Sequence, residues 1–319
     1  MENNINLENP VIDNNEITRL GFNIEKEKRK QRTKKIVKNV FVYIFLTIMA
    51  IISFLPFYWM IITSLKTEME FRQSVPTFFP QVMKWDNYSF AMSTNSGMFG
   101  TALLNTLIVG AVSTILGLIV VIITAYAFAK MNFKGKDLLF GLMLLTMMIP
   151  GELFTNTNYM TVGKFGWNNT YIALIAPFLV SVYYIFLLRN NFKQIPDTLY
   201  KAAKVDGTGE LGFLIKVMIP LTAPTLISIT LLKFIGAWNS YIWPELVNKQ
   251  NDWRLISNWM SGGFTDNLGK LYGGEFPKTE ALTTVRMAAA CIVSIPLLVL
   301  FLFFRKYIMH GISKSGTKG

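Results

Sequence analysis

Cysteine and histidine are nearly missing from this chain: Cys291 and His310 are each the only residue of their type. A lone cysteine excludes an intrachain disulfide and a cysteine-built metal cluster. A lone histidine leaves almost nothing for histidine-based catalysis. Charge is sparse as well. Soluble domains carry about 25% charged residues; here the figure is 16% of 319 residues, unevenly spread. A phosphate-cradling loop is also lacking, because Gly135-Lys136 runs into Asp137 and has no glycine upstream at the required spacing. No nucleophile–base set is in view. The chain is therefore expected to be no enzyme and to hold no metal or cofactor of its own. The first 39 residues are polar and carry no pattern of a cleavable signal peptide.

Apolar runs are what the sequence has in abundance. Hydrophobic residues make up 52%, and runs long enough to cross a bilayer, which takes roughly 20 residues, recur along it. The spans fall at residues 40–62, 103–129, 138–162, 171–188, 221–242 and 287–304. The expected fold is an all-α polytopic membrane protein with six transmembrane helices. Pro150-Gly151 must kink or break the third span, while Pro56 and Pro177 lie inside the first and fourth. Residues 1–39 then form an N-terminal segment, 40–100 the first span and its loop, 101–305 the membrane core, and 306–319 a tail. The Asn-rich stretch 1–24 is expected to be disordered, with a short surface helix as the alternative.

The net charge of +12 invites a nucleic-acid reading, but the placement of the basic residues argues for topology instead. Lysine and arginine collect in cytoplasmic loops. Of the 31, nine precede the first span, three lie between spans 2 and 3, five between spans 4 and 5, and four in the tail. The alternate loops hold only eight, although 63–102 and 243–286 are long. Both termini are thus expected in the cytoplasm, with the chain crossing the cell membrane several times. The second long loop carries Trp253, Trp259, Phe264, Tyr272 and several glycines. That make-up suits contact with an external partner, or else a lid packed on its own subunit.

The loop between spans 4 and 5 is the most informative. Pro196 and Asp197 suit the start of a helix. Leu199, Ala202, Ala203 and Val205 follow as a short apolar stripe. Asp206-Gly207 supplies a stop, since glycine takes a left-handed backbone freely. A second short helix is expected from about residue 210 to 218, ahead of Pro220. The small side chains of Ala202 and Ala203 let another surface come close. The pattern is a helix–turn–helix at the membrane face, shaped for docking.

In these residues the chain resembles the inner-membrane permeases of binding-protein-dependent ABC importers, in the carbohydrate branch that includes the maltose-type second permease. The loop matches at Ala202, Ala203, Asp206, Gly207, Ile219 and Pro220. Supporting matches run in order on both sides: Asn105-Thr106, Ala125 to Lys130, Phe133 to Lys136, Met148 to Pro150, Asn169 to Tyr171, Pro177, Trp238-Asn239 and Trp243-Pro244. The likeness covers roughly residues 40–319.

The resemblance implies a type I ABC importer transmembrane domain that pairs with a second permease subunit. Two cytoplasmic ATPase subunits, holding ATP and Mg, would sit beneath the pair, and an extracellular solute-binding protein would deliver substrate. Lys201, Ala202, Ala203, Asp206 and Gly207 fall within the implied coupling helix, about 196–212. The implied partner of residues 245–285 is the binding protein, and that of 306–319 is the ATPases. Two departures stand out: Lys201 replaces the family's glutamate, and Ser315-Gly316 replaces its Gly-Ala pair. The implied cargo is a sugar, an oligosaccharide in particular. A permease for amino acids or peptides is the alternative. An ATP-independent secondary transporter is disfavoured, because the spans show no internal duplication.

Two charges fall inside spans. At 1.5 Å per residue, Glu152 lies ~21 Å along span 3 and Lys233 ~18 Å along span 5, near the middle of a ~30 Å core. Such residues are costly there and face a polar cavity or each other. Either they line a sugar path that favours an acidic or amidated glycan, or they form an ion pair that holds helices together. Trp238, Asn239 and Tyr241 are further pathway candidates, although interfacial Trp and Tyr also serve as plain membrane anchors.

Overall fold

The computed structural model describes residues 14–93, 98–261 and 282–313, with side chains placed from residue 29 to 306 within those ranges. The chain divides into two compact units, Met1–Trp59 and Met60–Gly319. Helix α1, Asn14–Ser64, makes up the first unit and continues into the second. Its side chains from Arg29 to Phe57 are exposed, including Val40, Phe41, Phe45 and Phe54. A helix that is apolar all round suits hydrocarbon, not water.

Residues 14–24 are helical, as the alternative reading of the Asn-rich stretch had it, and residues 1–13 lie outside the described residues. The polar segment is rich in Glu, Lys, Arg and Gln, which are good helix formers. No proline stands between Asn14 and Pro56, and only Gly21 weakens the run, so the turns of the span propagate backwards.

The second unit holds α2 (Glu68–Phe71), α3 (Asp86–Ser93), α4 (Met98–Lys130), α5 (Lys136–Thr146), α6 (Thr155–Lys164), α7 (Tyr171–Ile175) and α8 (Val182–Lys193). It continues through α9 (Asp197–Val205), α10 (Glu210–Phe213), α11 (Ile219–Leu221), α12 (Ala223–Trp238), α13 (Ile242–Val247), α14 (Ile256–Ser261) and α15 (Thr283–Ser313). No strand occurs among the described residues.

Three helices, α1, α4 and α15, are each long and apolar enough to cross a membrane. Counting each bent pair as one span brings the total to as many as six: Lys136–Thr146 with Gly151–Lys164 at 86°, Tyr171–Phe178 with Val182–Lys193 at 46°, and Glu210–Leu221 with Ala223–Trp238 at 82°.

Each bend has a covalent cause. Pro150 lacks an N–H and cannot continue α5, so the third span is broken outright and a 3-10 turn, Gly151–Phe154, restarts it. Pro177 sits in a 3-10 turn, Ala176–Phe178, ahead of the second bend. Pro220 follows a π-helical stretch, Leu214–Met218, and Pro224 opens α12. The fifth span is also shorter than expected. It ends at Trp238, because Asn239 closes the last turn on the Ile235 carbonyl at 3.0 Å and α13 starts afresh at Ile242.

Three hydrophobic clusters hold the second unit together. One joins α4, α8 and α12 with the π-helical stretch through Val121, Ile185, Leu188, Phe192, Met218 and Ile229. A second gathers Ala102, Trp238, Trp259, Val285 and Ala289. The third packs Val109, Ala173, Trp243 and Leu255. Polar ties register these layers. Asn105 Nδ2 donates to the carbonyls of Asp252 (2.7 Å) and Arg254 (3.1 Å), and its Oδ1 accepts from the Tyr171 hydroxyl at 2.7 Å. Thr106 Oγ1 accepts from the Ile256 N–H at 2.8 Å.

The segment after α1 is built, not loose. Asn87 Nδ2 bonds the carbonyls of Ser64 and Lys66, each at 2.9 Å, and the Glu70 carboxylate receives the Thr77 hydroxyl and the Gln81 N–H. Glu68, 1% exposed, accepts from the N–H and hydroxyl of Thr284 at 3.2 and 3.1 Å, and from Arg72 Nε at 3.2 Å. Phe264, Tyr272, Ser315 and Gly316 lie outside the described residues. Replacing Glu68 by alanine strands buried donors on the start of α15 and is expected to cost about 1–3 kcal/mol. A lowered thermal midpoint of the purified protein in detergent is the measurement.

Candidate coupling loop and membrane cavity

The loop between α8 and α12 is held in one shape by a carboxylate. Glu210, at the start of α10, accepts from the Tyr200 hydroxyl at 2.5 Å, from Lys204 Nζ at 2.7 Å, and from the Tyr126 hydroxyl of α4. Helix α9 is thereby tied both to the helix that follows it and to a membrane helix. These donors, Lys204 first, hold the Glu210 carboxyl down at about 2, against an ordinary value of 4.5.

A second tie runs through Lys130, the last residue of α4. Its ammonium reaches Asp197 Oδ1 at 2.6 Å and the Ile195 carbonyl at 2.9 Å, and this bond holds the Asp197 carboxyl below its usual range. Buried Arg189 donates to the Phe128 carbonyl at 3.1 Å and lies 3.7 Å over the Phe140 ring. Arg189 thus meets the carbonyl end of α4, where the helix dipole favours positive charge, and Lys130 ties that end to the start of α9.

Helix α9 ends as glycine allows. Gly207 has φ 73°, Gly207 N–H bonds the Lys204 carbonyl at 3.1 Å, and Thr208 N–H bonds the Ala203 carbonyl at 2.8 Å. This paired closure satisfies carbonyls that would otherwise be orphaned. The stripe expected on α9 divides in two. Ala203 is half-buried and packs inward on the core around Phe213 and Met218. Leu199, Ala202 and Val205, spaced three apart, are exposed, Val205 at 88%. Lys201, Asp206 and Gly207 are exposed as well.

Within the bundle lies a cavity of about 340 Å³ bordered by α4, α7, the turn after it, the start of α8, and α12. Its lining includes Ser113, Phe178, Ser181, Tyr184, Lys233 and Ser240. Lys233 is half-buried, with its ammonium 3.4 Å from the Phe178 carbonyl and 5.6 Å from the centre of the Tyr184 ring.

Of the five pathway candidates named from sequence, only Lys233 borders this cavity. Glu152 is exposed in the 3-10 turn beyond the Pro150 break, and no ion pair joins it to Lys233 among the described residues. The break redirects the chain by 86°, so counting residues along one straight helix misplaced it. Trp238 is corrected to a packing residue: it is 1% exposed in the second cluster, 6.0 Å from the Phe234 ring. Asn239 and Tyr241 are exposed and do not line the cavity. Sequence reasoning did not single out Glu210, Tyr126, Ser113, Ser181 or Tyr184. A glutamate three residues past the Gly207 stop was the one signal that pointed to the clamp.

Broken spans around a polar-edged cavity, with a rigid helix–turn–helix at one end, define a polytopic transport permease. The chain belongs to the binding-protein-dependent transport system inner membrane component family, which matches residues 117–314. It is similar to the arabinooligosaccharides transport system permease protein AraQ of Halalkalibacterium halodurans, with 28% identity over 272 residues, 85% of this chain and 93% of that one. It is similar also to the trehalose/maltose transport system permease protein MalG of Thermococcus litoralis, with 29% identity across 90% of this chain and 99% of the other. Among solved structures, a chain of a bacterial ABC transporter involved in the import of the acidic polysaccharide alginate has the same fold. Its TM-score is 0.72 at 24% identity, covering 88% of this chain and 98% of that one. The fold is the type I ABC importer transmembrane domain expected from the sequence.

Glu210→Gln keeps the size of the clamp but removes its charge. Amide exchange across residues 197–213 is expected to speed up several-fold. Because the folded Glu210 carboxyl titrates at about 2, below its unfolded value near 4.5, its contribution is complete above the unfolded value. It declines as pH falls below about 4.5 and is lost as pH falls through about 2. Wild-type exchange, corrected for intrinsic chemistry, should therefore show no step from this group between pH 5 and 8.

Proposed function

We propose that this protein is the permease subunit of an ATP-driven, solute-binding-protein-dependent importer of an oligosaccharide, and that it forms half of the translocation pathway. It pairs with a second permease in the cell membrane, and both of its termini and α9 face the cytoplasm. Two ATPase subunits, carrying ATP and Mg, dock beneath, and an extracellular binding protein delivers the sugar. The chain itself hydrolyses nothing.

The observation that carries this reading is α9. An amphipathic helix with an outward apolar row of Leu199, Ala202 and Val205 is locked to the bundle by Glu210 and Lys130. Such a rigid apolar knob suits the groove of a moving partner, and its ties to α4 carry that motion into the spans. The basic residues around it match the cytoplasmic bias of loop charges. Carbohydrate names among the relatives favour sugar over amino-acid or peptide cargo. Lys201, exposed where the family has glutamate, leaves docking to shape and apolar contact.

Ala202→Asp and Val205→Asp place a charge on the outward row and are expected to abolish ATP-dependent uptake in proteoliposomes and release the ATPases on copurification. Lys201→Ala removes an exposed ion, worth about 0–1 kcal/mol, and should only weaken uptake. Substitution at Ala203 would disturb the inner packing and so is the poorer probe. Full uptake with both aspartate variants would refute the docking role.

A further inference from the structure

The cavity beside Lys233 has an electrostatic character that the coupling mechanism does not use. Resting on the proposed importer reading, we propose that it is an anion-reading subsite, where the carboxylate or phosphate of an acidic sugar is held against Lys233 during passage. Three observations converge on it. Lys233 is the one charged side chain among the described residues lining the cavity, and no carboxylate lies within ion-pair distance of it among those residues. Its hydrogen bond to the Phe178 carbonyl is long at 3.4 Å, so the ammonium has donors to spare.

The second observation is the break in the fourth span. Helix α8 begins at the cavity wall with Ser181 and Tyr184 in the lining, and the Ser181 side chain makes no capping bond. The first-turn N–H groups of a 12-residue helix lack helical acceptors and carry the positive end of its dipole. Cation and helix start thus raise the potential of one chamber, whose walls include apolar Leu174, Phe178 and Leu232. A low-dielectric wall strengthens both.

The third is Gly117 of α4. A Cβ there would sit 2.5 Å from both Cε and Nζ of Lys233 and 3.1 Å from the Leu179 carbonyl. The absence of a side chain is what gives the ammonium its place. At about 340 Å³ the chamber is at the lower end of the roughly 300–1,000 Å³ found for small-molecule sites. It therefore suits part of a sugar chain and not the whole of a long one.

The test uses the complete transporter, with its partner permease and ATPases, in nanodiscs and without binding protein. Calorimetry compares three probes: a uronate trisaccharide, its carboxyl-reduced neutral counterpart, and a disaccharide phosphate. Wild type should bind at least one acidic probe more tightly than the neutral one, and which of the two it prefers identifies the anion. Lys233→Met should erase that preference, about tenfold for one charge-assisted contact, and Lys233→Arg should retain part of it. Gly117→Ala, which keeps the charge but displaces it, should reduce the preference too, and it serves if the methionine variant fails to assemble. An unchanged acid-to-neutral ratio in these variants overturns the proposal, as does a wild type that binds all three probes equally; in either case the importer reading stands. A complex that falls apart only when Lys233 is neutralised, with the ratio intact in Gly117→Ala, would assign the charge to a subunit contact instead. A wild type that binds none of the probes and takes up no sugar with its binding protein present overturns both readings.

Discussion

A peptide group in hydrocarbon has no water to turn to, and an unpaired one costs several kcal/mol. Three of the bends in this bundle show how that constraint is met. At the bend before α12, Thr222 Oγ1 donates to the Met218 carbonyl at 2.8 Å and the Thr222 carbonyl takes the Leu226 N–H at 3.0 Å. At Pro150 the chain recovers through tight turns, with Ile149 bonded to Thr146 at 3.3 Å and Leu153 to Pro150 at 3.2 Å. At the bend before α8 the Phe178 carbonyl is reached by the Lys233 ammonium. That last solution brings a cation into the bundle and leaves a polar-edged chamber beside it. The break and the cavity are one feature, because a continuous fourth span would have consumed the groups that now line the space.

At the other end of the bundle the same demand is met by charge. The Phe128 carbonyl near the end of α4 accepts from Arg189, and the last residue of α4, Lys130, reaches over to Asp197 and Ile195. Glu210 collects three donors, one from α4 and two from α9. None of these contacts is individually large, since Asp197 and Lys204 are well exposed. Their value lies in geometry. Helix α9 is too short to be stable alone, yet here it is fixed at both ends, to α4 through Lys130 and to α10 through Glu210.

Several residues that carried the family resemblance are hydrogen-bond ties of the scaffold. Asn105 and Thr106 pin the stretch before α14 to α4. Asn169, the one non-glycine residue at positive φ among those described, accepts the N–H groups of Lys249 and Gln250. Trp243 donates its indole N–H to the Ala173 carbonyl at 2.9 Å. The resemblance was thus readable without revealing what each residue does, because a motif records that a position is demanding and not whether packing or cargo makes the demand.

Span number, the helix–turn–helix and its glycine stop were legible from sequence because each rests on local chemistry: run length against bilayer thickness, proline's missing N–H, and glycine's free backbone. The paired fate of Ala202 and Ala203 was not, since neighbours on a short helix point about 100° apart and only the surrounding core tells inside from outside. Nor was the separation of Glu152 from Lys233, which depends on the size of a bend that proline permits but does not set. Ser113, Ser181 and Tyr184 look ordinary in apolar helices and become a site only where three elements converge. The chain's own order of residues decided what must enter the membrane and where helices stop. Which polar groups meet inside it was decided by tertiary packing alone, because those meetings join atoms far apart in sequence whose positions follow from the angles between broken helices.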